Sequence, residues 1–523
     1  MQDDYSENLE FFKWLFDNDN ISLESSIDLT LCQNYEDPNI YYPKELGDFF
    51  RTLPMKRISR ILQLSKFIEL DKYTYHTRFE HCMGTYDKKK RIILNLYKDE
   101  NFRKYIEDNN LKEYLIAELI KSAGHDIGHL PLSHVLEISV INKREFHEVM
   151  GRRILLENKE IREVLDSISP TLHQALKTTL TSDVFGLDLI DEGNYDIDRF
   201  DYLIRDLFYR GQKTSLKFEP FRLSRLDING ETKTIPVFDI NSVSEIEKFL
   251  KLREKAYKEC YFNPITQIHD TSIAITLNEL MRQKSQYGLD LQHFLTTLKT
   301  CSDPYAIDLD EYLTWDDLKF YNSLLDVAEF SDNKSLSQLS TFVLPNLDSF
   351  MHMTYSMLDL KNKKHQDLPE KDQELVHRIH KLIYSNDEFA KNLKNPNYFT
   401  NIVRYTMDTD KINLLKKDPS KSKNIIFNSQ TLLPYKNTEP IYIKNTDGKI
   451  YPIDKIPERK FDISSSPEQI EVAFSLLPLL QESEIETPFD NQIDPNVYFE
   501  HTRKPNMNPL QTGNKIESYF IEH

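Results

Sequence analysis

Residues 123 to 134, Ala-Gly-His-Asp-Ile-Gly-His-Leu-Pro-Leu-Ser-His, place His125, Asp126, His129 and His134 in one short stretch. Imidazole nitrogens and carboxylate oxygens bind divalent cations, and imidazole carries protons near neutral pH, so the stretch could hold a metal, move a proton, or both. His125 and His129 are four apart, the spacing with which zinc proteases aim two imidazoles from one helix face. Two features argue against that chemistry. Asp126 is one methylene shorter than the glutamate a protease would use as base, and Pro131 interrupts the helix where a protease ligand helix continues. The four cysteines, Cys32, Cys82, Cys260 and Cys301, are far apart and form no CxxC pair, so any metal is held by nitrogen and oxygen.

Helices must bring such residues together. From Leu111, apolar residues recur at Leu115, Ile116, Leu119, Ile120 and Ala123, an amphipathic stripe that runs into His125. A second helix is expected after Gly193-Asn194, with Ile197, Phe200, Ile204, Leu207 and Phe208 on its apolar face. Asp198, Tyr202, Arg205 and Asp206 share its other side, an unusually polar face for a core helix. Glycine is scarce, 12 in all, yet Gly84, Gly124, Gly128, Gly151, Gly186, Gly193 and Gly211 fall between 84 and 211. His76, His81, His125, His129, His134 and His147 crowd nearly the same window, so backbone freedom and imidazole chemistry point to one region.

Composition excludes several classes. Hydrophobic residues make up 39% and charged residues 29%, a globular balance, and no run approaches the ~18 apolar residues of a membrane span. An acidic N-terminus without a basic-then-apolar signal pattern leads us to expect a cytoplasmic protein. A net charge of −18 opposes broad adhesion to nucleic acid and leaves room for a small anionic substrate held by a local cationic cluster.

Upstream stands His-Thr-Arg-Phe-Glu-His, with Arg78 and His81, and downstream Asp-Ile-Asp-Arg-Phe-Asp-Tyr, with Asp198 and Arg199. A histidine, a His-Asp pair and a distant aspartate, each expected on or beside a helix, resemble the ligand set of the HD-domain phosphohydrolases. The three blocks, spread over residues 45 to 270, are similar to the deoxynucleoside triphosphate triphosphohydrolase (dGTPase/dNTPase) branch of that family. The resemblance implies a divalent cation held by His81, His125, Asp126 and Asp198, with Mn, Mg, Fe, Zn and Ni all compatible with a mixed nitrogen and oxygen set. It further implies a catalytic His147 paired with an acid that falls on Glu137, longer by a methylene than the family's Asp, and two more active-site histidines, His129 and His134. Arg78, Arg199 and Arg253 correspond to phosphate contacts. Gln63, Leu64, Tyr202, Asp206 and Tyr261 correspond to sugar contacts, Tyr202 crowding the 2′ carbon and Asp206 accepting from the 3′-hydroxyl.

The expected fold is mainly α, an HD/PDEase-like helical catalytic core with additional C-terminal helices and a small extended or β C-terminal region. We expect an irregular N-terminal extension over 1–44, the core over 45–270, a helical region over 271–415 and a mixed extended tail region over 425–523, with a hairpin turning near Asp447-Gly448. The expected reaction is hydrolysis of a dNTP to deoxynucleoside and triphosphate, serving pool control or antiviral (antiphage) defence. The resemblance implies a homo-oligomer, tetramer or hexamer, with a nucleotide activator or a regulatory partner protein as further ligands. At the activator position, however, Arg51 in Arg-Thr-Leu-Pro replaces the family's acid. Other HD reactions (nucleotidase, cyclic-nucleotide phosphodiesterase, alarmone hydrolase), a single-strand nuclease and a non-catalytic nucleotide sensor stay open at this point. His76 and His173 match no functional position and are expected to be structural or solvated.

Overall fold

Helix signals dominate the sequence, and the computed structural model is mainly α, with three small sheets among the described residues. It describes residues 2–476 apart from 29, 31–37, 65–73, 142–144, 183, 185–192, 229–230, 284, 302, 358–367, 396–397, 399–403, 419–424, 437–439 and 458. Gly186 and, within the expected tail region, residues 477–523 lie outside the described residues.

Three helices build the site. The first, Arg78–Tyr97, begins with a reciprocal cap: Thr77 accepts from the Glu80 backbone and Glu80 accepts from the Thr77 backbone, so the first turn is fixed where Arg78 and His81 stand. The second, Lys112–Gly124, buries Leu115, Ile116, Leu119, Ile120 and Ala123, the stripe read from sequence. It stops before His125, so His125 and His129 share no helix face and the protease geometry is absent. The third, Ile197–Tyr209, starts at the Asp196 side chain, which accepts from the Arg199 backbone at 2.7 Å. The first helix packs against both others.

One apolar cluster runs from Phe11 and Phe12 through Met83, Leu119 and Met150 to Phe320, Phe350 and Phe474, so residues on both sides of position 270 share a core. The helix Pro264–Gln283 passes straight through that boundary. A second cluster joins Phe200 and Leu203 of the third site helix to Phe249, Tyr435, Ile441 and Ile443.

Residues 1–44 differ from the irregular extension read from sequence. They hold the helix Gln2–Phe16, which buries Phe11, Phe12 and Leu15, and the antiparallel strands β1 (Leu23–Ile27) and β2 (Asn39–Pro43). The helix crowds Phe11, Phe12, Trp14, Leu15 and Phe16 into its second half behind an acidic first half, so no regular stripe shows in the sequence. The region read as wholly helical up to 270 also contains antiparallel β3 (Phe221–Ile228) and β4 (Glu231–Asp239), on either side of Asn229-Gly230. That dipeptide is a hairpin signal the helical reading passed over. The expected C-terminal hairpin is present as β7 (Tyr442–Lys444) and β8 (Ile450–Pro452), with Gly448 at φ +80 between them, and β7 joins β4 in parallel. A third sheet orders β5 (Arg404–Thr406), β9 (Glu468–Ser475) and β6 (Ile426–Leu432). No helix among the described residues is long and apolar enough to cross a membrane.

Candidate active site

The first two site helices and the loop after Gly124 deliver His81 and His125 to one point, and the third helix delivers Asp198 to it. His81 Nε2 lies 3.2 Å from His125 Nε2 and 2.9 Å from Asp198 Oδ1, and His125 Nε2 lies 3.5 Å from the same oxygen. The opposite ring nitrogens are already engaged: His81 Nδ1 is 2.8 Å from Asp201 Oδ2, and His125 Nδ1 is 2.9 Å from the Ser122 carbonyl. Both rings therefore carry hydrogen on Nδ1 and present the Nε2 lone pair inward, the orientation that outer partners impose on metal-ligating histidines. Asp126 stands one step out, its oxygens 3.5 Å from His125 Nε2 and 3.7 Å from His81 Nε2, while it also accepts from Arg78 and from His129 Nε2 at 3.2 Å. Two imidazoles and two carboxylates fit a divalent cation in charge and donor type.

Without a cation, the group shares protons. Burial opposes charge on His81, but hydrogen bonds with Asp198 and Asp201 prevail and raise its pKa. Burial likewise opposes charge on His125, and the Asp126 carboxylate prevails and raises it well above the usual value.

Beside this group stands a second one, His129, His134, Glu137 and His147, whose donor atoms also lie within 4.8 Å of one another. Glu137 opens a π-helical turn (Glu137–Ile141), is fully buried, and accepts from the His147 backbone at 2.6 Å and from His147 Nδ1 at 2.7 Å through one oxygen. Its other oxygen is 2.9 Å from Nδ1 of the exposed His134. The longer glutamate thus makes the pairing expected of an aspartate. His147 stacks on His129 with ring centres 4.0 Å apart. Burial opposes charge on His147, yet Glu137 raises its pKa to about 9, whereas burial and the nearby Arg78 push His129 well below the usual value.

Close backbone approach joins the two groups. A Cβ on Gly128 would lie 2.0 Å from the His147 carbonyl and 2.3 Å from Gly151 N, so only glycine lets the His-Asp loop meet the helix Phe146–Glu157. The same loop puts Leu132 at φ 58 and Ser133 at φ 51, left-handed values costing about 1–2 kcal/mol each for such residues. Clamps from elsewhere hold it there: Asp317 accepts from Leu132 N and Leu62 N at 2.8 Å each, Tyr312 donates to the Gly128 carbonyl, and Arg57 donates to the carbonyls of Ile127, His129 and Trp315.

The remaining expected residues divide. Tyr202 sits 6.4 Å from His81 and 6.2 Å from Tyr261, ring to ring, and its hydroxyl is 3.2 Å from that of Tyr257. Arg253 is buried over the Tyr257 ring, and its Nη1 has no hydrogen-bond partner among the described residues. Asp206 accepts from Tyr261 at 2.5 Å and is 2.7 Å from His76 Nε2, so both of its oxygens have protein partners. Leu64 packs on Cys260 and Tyr261; Gln63 Oε1 is buried without a partner among the described residues. Two cations are turned inward: Arg199 donates to the Gly193 carbonyl and to Asp196, and Arg78 to Ser133 and Asp126. His76 is structural, as expected, stacked on Tyr209 at 4.5 Å. His173 is 3.0 Å from the Leu156 carbonyl, also a structural contact. Sequence reasoning missed Tyr257, Asp201 and the clamp of Arg57, Tyr312 and Asp317. Asp201 was detectable, three residues after Asp198; nothing local marks Asp317.

No family model matches the chain. A putative HD domain-containing protein of Acanthamoeba polyphaga mimivirus is 29% identical over 179 residues, 30% of this chain and 37% of that protein. A deoxynucleoside triphosphate triphosphohydrolase SAMHD1 homolog of Dictyostelium discoideum is 26% identical over 188 residues, 34% of this chain and 36% of that one. The matches span about half the length of the first curated relatives, 53% of each of two. A crystal structure of a Bacteroides thetaiotaomicron phosphohydrolase covers 87% of this chain and 99% of its own, with a TM-score of 0.56 and 19% identity, a likeness of fold. Over about a third of its length the chain is similar to an HD domain-containing protein and to a triphosphohydrolase homolog, and it shares a helical fold with a phosphohydrolase.

Proposed function

We propose that the chain hydrolyses deoxynucleoside triphosphates at the α-phosphorus, releasing a deoxynucleoside and inorganic triphosphate. One observation carries the reading: two Nε2 atoms and the Asp198 carboxylate converge beside a cage of Tyr202, Tyr257, Tyr261 and Asp206. A divalent cation bound by His81, His125, Asp126 and Asp198 would acidify water and withdraw charge from the phosphorus. The protein's own groups supply the rest. His147, protonated at neutral pH because Glu137 holds its Nδ1–H, keeps Nε2–H to give to the leaving 5′-oxygen as the P–O5′ bond breaks. Water adds its oxygen to phosphorus, and its released proton restores the imidazolium. The Nη1 of Arg253, without a partner among the described residues, supplies a cation for the phosphate chain. Tyr202, wedged between His81 and Tyr261, fills the space where a ribose 2′-hydroxyl would stand. For Asp206 to read the 3′-hydroxyl, the sugar must replace one of its two present partners.

Nucleotide activation through Arg51 finds less support, because Arg51 is bonded to Glu24 at 2.6 Å and Asp48 at 2.7 Å. The test is incubation of the purified chain with each dNTP, each rNTP and short single-stranded DNA, in Mg or Mn, with separation of products by anion exchange. Triphosphate from dNTPs and not rNTPs supports the reading. Monophosphates from DNA, or phosphate from nucleoside monophosphates, would replace it with a nuclease or nucleotidase.

A further inference from the structure

Asp201 belongs to no expected ligand set, yet it is 1% exposed and holds four hydrogen bonds on one carboxylate. Its Oδ2 accepts from His81 Nδ1 at 2.8 Å and Arg205 Nε at 2.9 Å; its Oδ1 accepts from Lys88 at 2.6 Å and Arg205 Nη2 at 3.0 Å. A carboxylate offers about four lone-pair sites, so this one is saturated and cannot turn. Arg205 in turn spans to Asp28, 2.7 Å and 3.2 Å from its two oxygens, and Asp28 lies between β1 and β2 in the N-terminal 44 residues. Two cations and two carboxylates balance, and the fixed Asp201 Oδ2 takes the hydrogen bond from His81 Nδ1.

An independent observation shows that this closeness is built in. Gly84, three residues after His81 on the same helix, faces Asp201 and Arg205 so tightly that a Cβ there would lie 2.0 Å from Asp201 Oδ1 and 2.2 Å from Arg205 Nη2. Only glycine lets the third site helix set its carboxylate under the His81 ring.

We infer that Asp201 is the positioning residue that aims His81 Nε2 at the cation, and that Asp28 of the N-terminal segment supports it through Arg205. The inference rests on the metal reading of the site given above. Outer partners of metal-bound histidines are typically worth roughly 10- to 100-fold in metal affinity. The test titrates Mn2+ alone, then Zn2+ alone, into the metal-depleted full chain by calorimetry, with the melting temperature followed in parallel. Asp201→Asn and Gly84→Ala are expected to weaken Mn2+ binding by roughly 10- to 100-fold, and Asp28→Asn by a few-fold, since it acts at one remove. Asp87→Asn is the control for mere destabilisation: Asp87 is a buried ion-pair carboxylate on the same helix, 2.8 Å from Lys90 and 2.6 Å from Arg91. It should lower the melting temperature and leave Mn2+ affinity unchanged. Should Asp201→Asn fail to fold, Gly84→Ala and Asp28→Asn decide by the same readout. Wild-type metal affinity in the folded variants overturns the inference while leaving the metal site intact. A wild-type chain that binds neither ion overturns both.

Discussion

The two histidine groups of the site are both built from imidazoles and carboxylates, and they hold them in different geometries. In one, fixed acceptors hold both Nδ1 atoms, the Asp201 carboxylate and the Ser122 carbonyl, and the Nε2 atoms face each other across 3.2 Å. In the other, Glu137 holds two Nδ1 atoms, and His129 stacks face to face on His147 at 4.0 Å. Convergent lone pairs suit a cation; parallel rings with a buried carboxylate behind them suit proton transfer. The lesson is that a carboxylate can hold the second nitrogen in either group, and that the direction in which the remaining Nε2 is then aimed separates them.

Removing a donor from the first group should have the largest effect. Asp198→Ala or Asp126→Ala is expected to lose activity on the order of a thousandfold or more, the several kcal/mol a cation contributes to the barrier, together with metal content measured by mass spectrometry. The second group should separate from this. Glu137→Gln or His147→Ala is expected to cost roughly 10²- to 10⁴-fold in kcat with Mn2+ affinity unchanged, and loss of metal in these variants would erase the distinction.

Titration sharpens the comparison further. His147 is raised to about 9, so its charged form is favoured by folding. The stabilisation from its pairing with Glu137 is complete below the ordinary value near 6.5 and is lost as pH rises through about 9. Activity that uses it as acid should fall across the same alkaline range, and Glu137→Gln should move that limb to lower pH. His81 and His125, also raised, should show the opposite dependence in metal binding, which weakens as pH falls because protons compete for Nε2.

Smaller effects lie outside both groups. Asp317→Ala strips acceptors from two buried backbone N–H groups, at about 1–3 kcal/mol each, and should lower the melting temperature together with activity. Tyr261→Phe removes one hydrogen bond to Asp206, about 0.5–1.5 kcal/mol, and should raise KM for a dNTP by two- to tenfold with kcat nearly kept.

The candidate donors were legible because they fall in three short blocks, two of them beside helices with a readable apolar stripe, Leu115 to Ala123 and Ile197 to Phe208. The Glu137 pairing with His147 came from the family resemblance, since nothing in the residues between them marks it. What holds these residues in place was not legible. Asp317 reaches Leu132 across 185 positions, Arg205 reaches Asp28 across 177, and Asn194 exchanges hydrogen bonds with Lys436 across 242. Such contacts depend on how helices pack, and no local periodicity encodes them. The N-terminal helix was missed for a related reason: its buried trio, Phe11, Phe12 and Leu15, finds its partners only in the tertiary core. The β3–β4 pair was overlooked although Asn229-Gly230 announces it, because helical neighbours on both sides set the expectation.

The central claim is one cation shared by three chain segments. Anomalous diffraction from crystals of the full chain soaked in Mn2+ tests it directly. We expect a single strong peak bounded by His81 Nε2, His125 Nε2 and Asp198, with Asp126 drawn in. A peak enclosed instead by His129, His134, Glu137 and His147, or no ordered ion between His81 and His125, would contradict it.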